Sequence, residues 1–289
     1  MPRIDINGIS IAYELIGDGE NAITITPGGR FSKDTPGVRE LAADLASHGY
    51  KVLIWDRPNC GESDISFAAD CETFQNADTL AGMIRALGLG KVLVYGASGG
   101  SREALVTAIR HPDCVSGVVC QWLSGGAVGI ATLPIAYCAN PAIAALIGGM
   151  PAVAQLPDWQ DQLARNPSNR ERLLAWDTQA FVRKMHAWAD WFFPQPGVPI
   201  PCVQPGQLEA LELPVLILRS GESDPHHTRA TSEAVAAMIP GAQLQEPPWG
   251  DREWIERLDA DMREKTGLFR SLPKLVPQIV AFAKGYGHD

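Results

Sequence analysis

Apolar and polar residues alternate through residues 3–6 and 9–15, and Asn7-Gly8 joins the two runs. A period of two is that of a half-buried strand, and Asn-Gly supplies the positive φ values of a two-residue hairpin turn. The chain is therefore expected to open on an antiparallel pair. A β-branched run at 22–26 stops at Pro27-Gly28-Gly29. The period then changes: Val38, Leu41, Leu45 and Ala46 recur at helical spacing, and Gly49 is the stop. Residues 51–56 predict a strand, 77–87 a helix ended by Gly88, 91–95 a strand, 100–110 a helix and 115–121 a strand. After residue 213 the pattern resumes, with strands at 214–219 and 242–246 and helices at 228–238 and 272–284. Alternation of this kind implies an α/β fold: a mostly parallel sheet with helices on both faces, and an antiparallel edge from the leading hairpin.

Between residues 123 and 213 the alternation stops. The segment is rich in Pro, Gly and Trp, and reads as a helical cap inserted in a core made of residues 1–122 and 214–289. Trp159, Trp176, Trp188 and Trp191 lie in it; indoles offer large, rigid contact area, so they either line a pocket or glue the cap to the sheet. Trp188, with Trp249 near the last strand, is taken as a candidate substrate contact. The most apolar stretch, 139–156, contains Asn140, Pro141, Gly148, Gly149 and Pro151, which break a spanning helix. It is read as buried or partner-facing, a weak pointer to a homodimer.

Composition narrows the partners. A net charge of -9 with scattered basic residues excludes the cationic footprint of a nucleic-acid binder and argues against an anionic membrane surface. A small-molecule substrate is left as the expected partner. The first residues lack the apolar core of a signal peptide. Six cysteines, none in a CxxC or zinc-ligand spacing, suit free thiols in a reducing cytoplasm and no metal; no cofactor motif is present either.

The chemistry centres on Gly96-Ala97-Ser98-Gly99-Gly100, a G-x-S-x-G between an apolar strand and a helical run. Such a turn holds the serine at a strained strand-to-helix corner with Oγ exposed, and the helix N-terminus aims amides at developing negative charge. Acyl transfer needs two oxyanion donors. Gly99 N–H supplies one, and the loop after the earlier strand, most plainly Gly29 N–H, the other. Arg30 beside that loop and Arg102 in the next helix are candidates for binding a substrate carboxylate, or else pair with local acids.

With these residues the chain resembles the α/β-hydrolase superfamily, and most of all its capped ester and carbon–carbon bond hydrolases. Asp56-Arg57-Pro58-Asn59-Cys60-Gly61-Glu62-Ser63 follows the family's D-x-R-G-x-G-x-S loop, with Arg57 shifted by one and Asn59 for a glycine; Pro27 stands where the family usually has His-Gly. The resemblance implies the order serine, acid, histidine. Asp224 matches the acid position, with Glu222 a rival and helix capping an alternative role. The histidine is missing: its place after the last strand is occupied by Asp251. The base is then His226 or His227, just after Asp224; or Asp251 itself, weak unless burial raises its pKa; or His186 from the cap. His48 and His111 read as structural, and His288 sits in the tail. Three functions stay open: a serine hydrolase of a small apolar ester, lactone or related acyl compound; a cofactor-free lyase or carbon–carbon bond cleaving enzyme; and a non-catalytic binding protein.

Overall fold

A computed structural model describes residues 2–265 and 267–287; His288 lies outside the described residues. Strands β1 (Arg3–Ile6), β2 (Ile9–Ile16), β3 (Ala22–Thr26), β4 (Lys51–Trp55), β5 (Val92–Ala97), β6 (Val115–Gln121), β7 (Val215–Leu218) and β8 (Gln243–Gln245) form one sheet. Their order is β1-β2-β4-β3-β5-β6-β7-β8. β2 runs antiparallel to β1 and β4, through the Asn7-Gly8 turn on one side; the pairs from β4 to β8 are parallel. The mostly parallel sheet with an antiparallel edge is the one the alternation predicts.

The central strands are buried on both faces, and period two decides which residue serves which face. Leu53 and Trp55 of β4, Val92 and Val94 of β5, and Val215 and Ile217 of β7 face helices α2 (Glu72–Ala86), α3 (Gly99–Arg110) and α9 (Arg229–Met238). Val52 and Ile54, Leu93 and Tyr95, and Leu216 and Leu218 face α1 (Val38–Ser47) and α11 (Val276–Gly285). Helix α2 begins five residues before the expected 77. Its first turn carries no apolar stripe because Glu72, Thr73, Gln75 and Asn76 are buried among polar partners rather than among aliphatic ones. Helix α10 (Glu253–Glu264) was not expected, since its sequence is mostly charged.

Five helices lie between β6 and β7: α4 (Ala127–Pro134), α5 (Asn140–Val153), α6 (Pro157–Arg165), α7 (Ser168–Leu174) and α8 (Thr178–Asp190). A π-helical turn, Ile135–Ala139, links α4 to α5. By length and composition alone the run Ala127–Arg165 could cross a membrane. It is not one rod, because Gly148 and Gly149 leave helical geometry and the chain bends there. Ile143, Leu146 and Ile147 of α5 face outward. The helices share their own apolar cluster, closed against the core by Ile65 and Phe67. Val198, Ile200, Val203, Leu208 and Leu211, from the last part of the 123–213 segment, pack in the cluster beneath the sheet.

Candidate active site

Three loops converge at the carboxyl ends of central strands, where open α/β sheets hold their ligands. Ser98 follows β5 and opens α3 with φ 57° and ψ -122°, a conformation that a non-glycine residue keeps only when its surroundings impose it. The surroundings are visible: Ser98 N–H donates to Gln121 O at 2.9 Å, and a Cβ on Gly100 would overlap the Thr26 carbonyl. The corner therefore admits a serine at 98 and glycine at 100.

The loop after β3 comes up against this corner. A Cβ on Gly28 would overlap Ser98 Cβ and stand 2.8 Å from Ser98 Oγ, so only glycine allows the approach. Gly29 N lies 3.6 Å from where a Gly99 Cβ would stand, which sets the Gly29 amide beside the Ser98-Gly99 turn. Arg57 fixes the loop from behind. Its Nη2 donates to the carbonyls of Gly28 (3.0 Å), Gly29 (2.7 Å) and Phe31 (3.3 Å), and its Nη1 to Glu103 Oε1 at 3.0 Å. Asp56 helps, accepting from Lys33 N at 2.7 Å and Glu62 N at 2.9 Å. Three carbonyls turned toward Arg57 leave the opposite edge of the loop free to present N–H groups. In the sequence Arg57 shows only as a shifted motif position; its clamping role is visible only in the fold.

The loop after β7 supplies acid and base together. His227 Nε2 lies 2.8 Å from Ser98 Oγ, and His227 Nδ1 lies 2.8 Å from Asp224 Oδ2. The other carboxylate oxygen, Oδ1, accepts the backbone N–H of His226 (2.9 Å) and His227 (3.0 Å). One carboxylate thus makes the turn and also orients the ring it carries. With Nδ1–H donated to Asp224, Nε2 is left as the acceptor facing the serine hydroxyl. Burial pushes His227 below its ordinary pKa, against the raising effect of Asp224, so the ring is neutral and basic near pH 7. Burial would raise the Asp224 carboxyl, but the His227 hydrogen bond and charge and two backbone amides outweigh it, and the net shift is downward.

The other base candidates are elsewhere. Asp251 is half exposed and ion-pairs with Arg229, and its backbone carbonyl accepts from Ser223 N at 3.0 Å; the expectation that it acts on Ser98 is corrected. His186 points to solvent from α8, and Glu222 pairs with Arg229 at 3.3 Å. His226 contributes its amide and a wall of the cavity, its ring packed 5.3 Å from Trp254. Trp254, on α10 where the usual histidine loop would end, also packs 6.0 Å from His227, ring edge to ring face. Arg257 from the same helix is buried over Trp122 (3.8 Å), 2.9 Å from Glu253 and 3.9 Å from Asp224.

Ser98 stands between two hollows. The larger, about 260 Å³, is mostly apolar, with Phe31, Trp122, Leu133, Trp254 and Phe269 in its walls. The smaller, about 20 Å³, is lined by Arg30, Arg57, Glu72, Arg102 and Glu103. Leu133 of α4 and Tyr137 of the π-helical turn wall both, so the insert contributes to each. The expected indole contacts are corrected. Trp188 is buried beside Phe67 with its Nε1 on Ala69 O at 2.9 Å, Trp159 and Trp176 surround the same phenyl ring, and Trp191 packs on Phe74. Trp249 lies behind Trp122 and walls a separate cavity beside α10. Packing claims these five, and Trp122 and Trp254 line the cavity beside the serine instead.

The sequence profile of the alpha/beta hydrolase fold family matches residues 31–180. Serine hydrolase BPHL of Homo sapiens is 25% identical over 254 residues, covering 86% of this chain and 78% of its own length. A 2-hydroxy-6-oxononadienedioate/2-hydroxy-6-oxononatrienedioate hydrolase of Burkholderia vietnamiensis is 29% identical over 122 residues, 42% of this chain and 41% of that protein. The enol-lactonase from Burkholderia xenovorans LB400 shares the fold with a TM-score of 0.60 at 19% identity, over 98% of this chain and all of that one. The matched profile spans more than half of the sequence and contains the Ser98 elbow, and the strand order around it agrees: the chain belongs to the alpha/beta hydrolase fold family.

Proposed function

We propose that this protein is a serine hydrolase that cleaves a small, largely apolar ester, lactone or related acyl compound through an acyl-enzyme. The observation that carries the reading is the unbroken relay of 2.8 Å contacts from Ser98 Oγ through His227 to Asp224. Ser98 Oγ attacks the carbonyl while His227 Nε2 takes its proton, and Asp224 steadies the imidazolium. The Gly29 and Gly99 amides receive the oxyanion. His227 then gives the proton to the leaving group and draws one from the water that releases the acid. The large cavity takes the apolar part of the substrate, under a cap formed by the insert. Six buried free thiols support a reducing compartment such as the cytoplasm.

A second reading, hydrolysis of a carbon–carbon bond beside a ketone, is supported by the alignment with the Burkholderia vietnamiensis hydrolase and uses the same relay. A purely binding role has no use for a strained serine held on a buried histidine. The test is labelling by a fluorophosphonate and turnover of aryl esters. Ser98→Ala is expected to abolish both; equal turnover in the variant overturns the proposal.

A further inference from the structure

Helix α10 is turned inside out. Its apolar Ile255 and Met262 are 47% and 67% exposed, whereas the Glu253 and Arg257 side chains are only 9% and 8% exposed. A helix on the surface is stabilised by the opposite placement, so folding alone does not select the inward charged pair. The pair faces the relay. Asp251, just before the helix, accepts Ser223 N–H on its carbonyl at 3.0 Å, which ties the start of α10 to the loop that carries the acid. Arg257 then lies over the Trp122 ring at 3.8 Å, with Trp254 at 4.8 Å, and donates from Nη1 to Leu268 O at 3.2 Å. Held so, its Nη2 stands 3.9 Å from Asp224 Oδ2, the oxygen that takes the His227 Nδ1–H bond. Glu253, 2.9 Å from Arg257 Nε, is the other acid beside it.

At 3.9 Å the contact with Asp224 is one of charge and not a hydrogen bond. A permanent cation there favours the ionised form of Asp224, which holds the Nδ1–H bond most strongly. The same cation opposes a second positive charge on the ring. The ionisable groups around His227 are few: Asp224 and His226 on its own loop, and Arg257 with Glu253 on α10; α4, at the wall of the cavity, carries none. Burial is the first cause of the downward shift of His227, Asp224 works against it, and Arg257 and His226 add to it. We propose that Arg257 is a positioning residue of the relay: fixed on its indoles, it holds Asp224 as a carboxylate against His227 and keeps the ring uncharged as the medium turns acid. The enzyme then works at a lower pH than the same three residues reach without it. The inference rests on the reading of the chain as a Ser98 hydrolase.

The experiment records kcat/KM for an aryl ester against pH, and the rate of Ser98 labelling by a fluorophosphonate as a second reading of the same base. Arg257→Met keeps an apolar stem on the indoles and removes the charge. It is expected to raise the acid-side inflection by roughly one pH unit in both readings, a loss of about tenfold at pH values below it. Arg257→Lys, which keeps a cation there, is expected to bring the inflection most of the way back. A thermal melt accompanies each variant; where Arg257→Met does not fold, Arg257→Met/Glu253→Gln, which leaves no lone buried acid, is read in its place. A lowered melt with an unmoved inflection makes Arg257 a structural residue only and overturns the proposal, as does an inflection that moves equally in Arg257→Lys. If wild-type Ser98 is labelled and all forms share one inflection, the role of Arg257 alone is wrong. If Ser98 is unlabelled at every pH and no ester turns over, the hydrolase reading falls and takes this role with it.

Discussion

Replacing Asp224 by Asn separates the two tasks of its carboxylate. Oδ1 holds the turn through the His226 and His227 amides, whereas Oδ2 accepts the proton on His227 Nδ1. An asparagine keeps a carbonyl oxygen for the two amides but can offer an NH₂ to Nδ1. The ring then adopts the opposite tautomer, with Nε2–H pointing at Ser98 Oγ, and the serine loses its base. The analogous change in a triad costs on the order of 10⁴ in kcat, about 5 kcal/mol at the transition state. Stability moves little, since the turn keeps its bonds and Arg257 keeps Glu253 at 2.9 Å. Asp224→Ala removes all three bonds and is expected to cost roughly 2–4 kcal/mol of stability as well, taking each bond at about 1 kcal/mol. The assay is kcat on an aryl ester beside a thermal melt for both variants, with Asp251→Asn as the control. Asp224→Asn within tenfold of wild type refutes the relay. So does an equal loss in Asp251→Asn, whose side chain lies in a half-exposed pair with Arg229.

Two further outcomes follow from the site. Because burial holds His227 below its ordinary pKa of 6.5, kcat/KM should rise with pH as the ring deprotonates and level off, with its inflection below 6.5; an inflection above 7 in a pH–rate profile contradicts that environment. Gly28→Ala should lower kcat by roughly 10²–10³, because the new methyl pushes the oxyanion loop off Ser98, with a melt showing the protein still folded; retention of full activity shows that the loop is not an oxyanion donor.

What the sequence disclosed and what it hid divide along a physical line. The strands and the Ser98 corner were legible because each is set by local rules: period two, a β-branched run, glycine where no Cβ fits. The base was not. Family spacing pointed to Asp251, yet the imidazole comes from the acid's own loop, three residues on. That arrangement needs Asp224 Oδ1 to bind two consecutive amides, and nothing in the letters Asp-Pro-His-His distinguishes such a turn from a solvated helix start. The pair of histidines could be noticed but not chosen between. Indole use was equally hidden, since a tryptophan packs and lines pockets with the same ring; the four in the insert surround Phe67 and Phe74, while Trp254 reaches the site from a helix whose sequence is mostly charged.

Arg102 is the instructive middle case. Every residue of α3 from Gly99 to Ala108 is buried, Arg102 and Glu103 among them. A helix packed between a sheet and another helix has no solvated side on which to place charges, so adjacent Arg and Glu in it break the pattern that folding alone favours. Glu103 has its explanation in Arg57, and through it in the oxyanion loop. Arg102 has its explanation in α2 and the Phe192 ring: its Nε donates to Thr73 Oγ1 at 3.1 Å, and its guanidinium lies 5.2 Å from that ring.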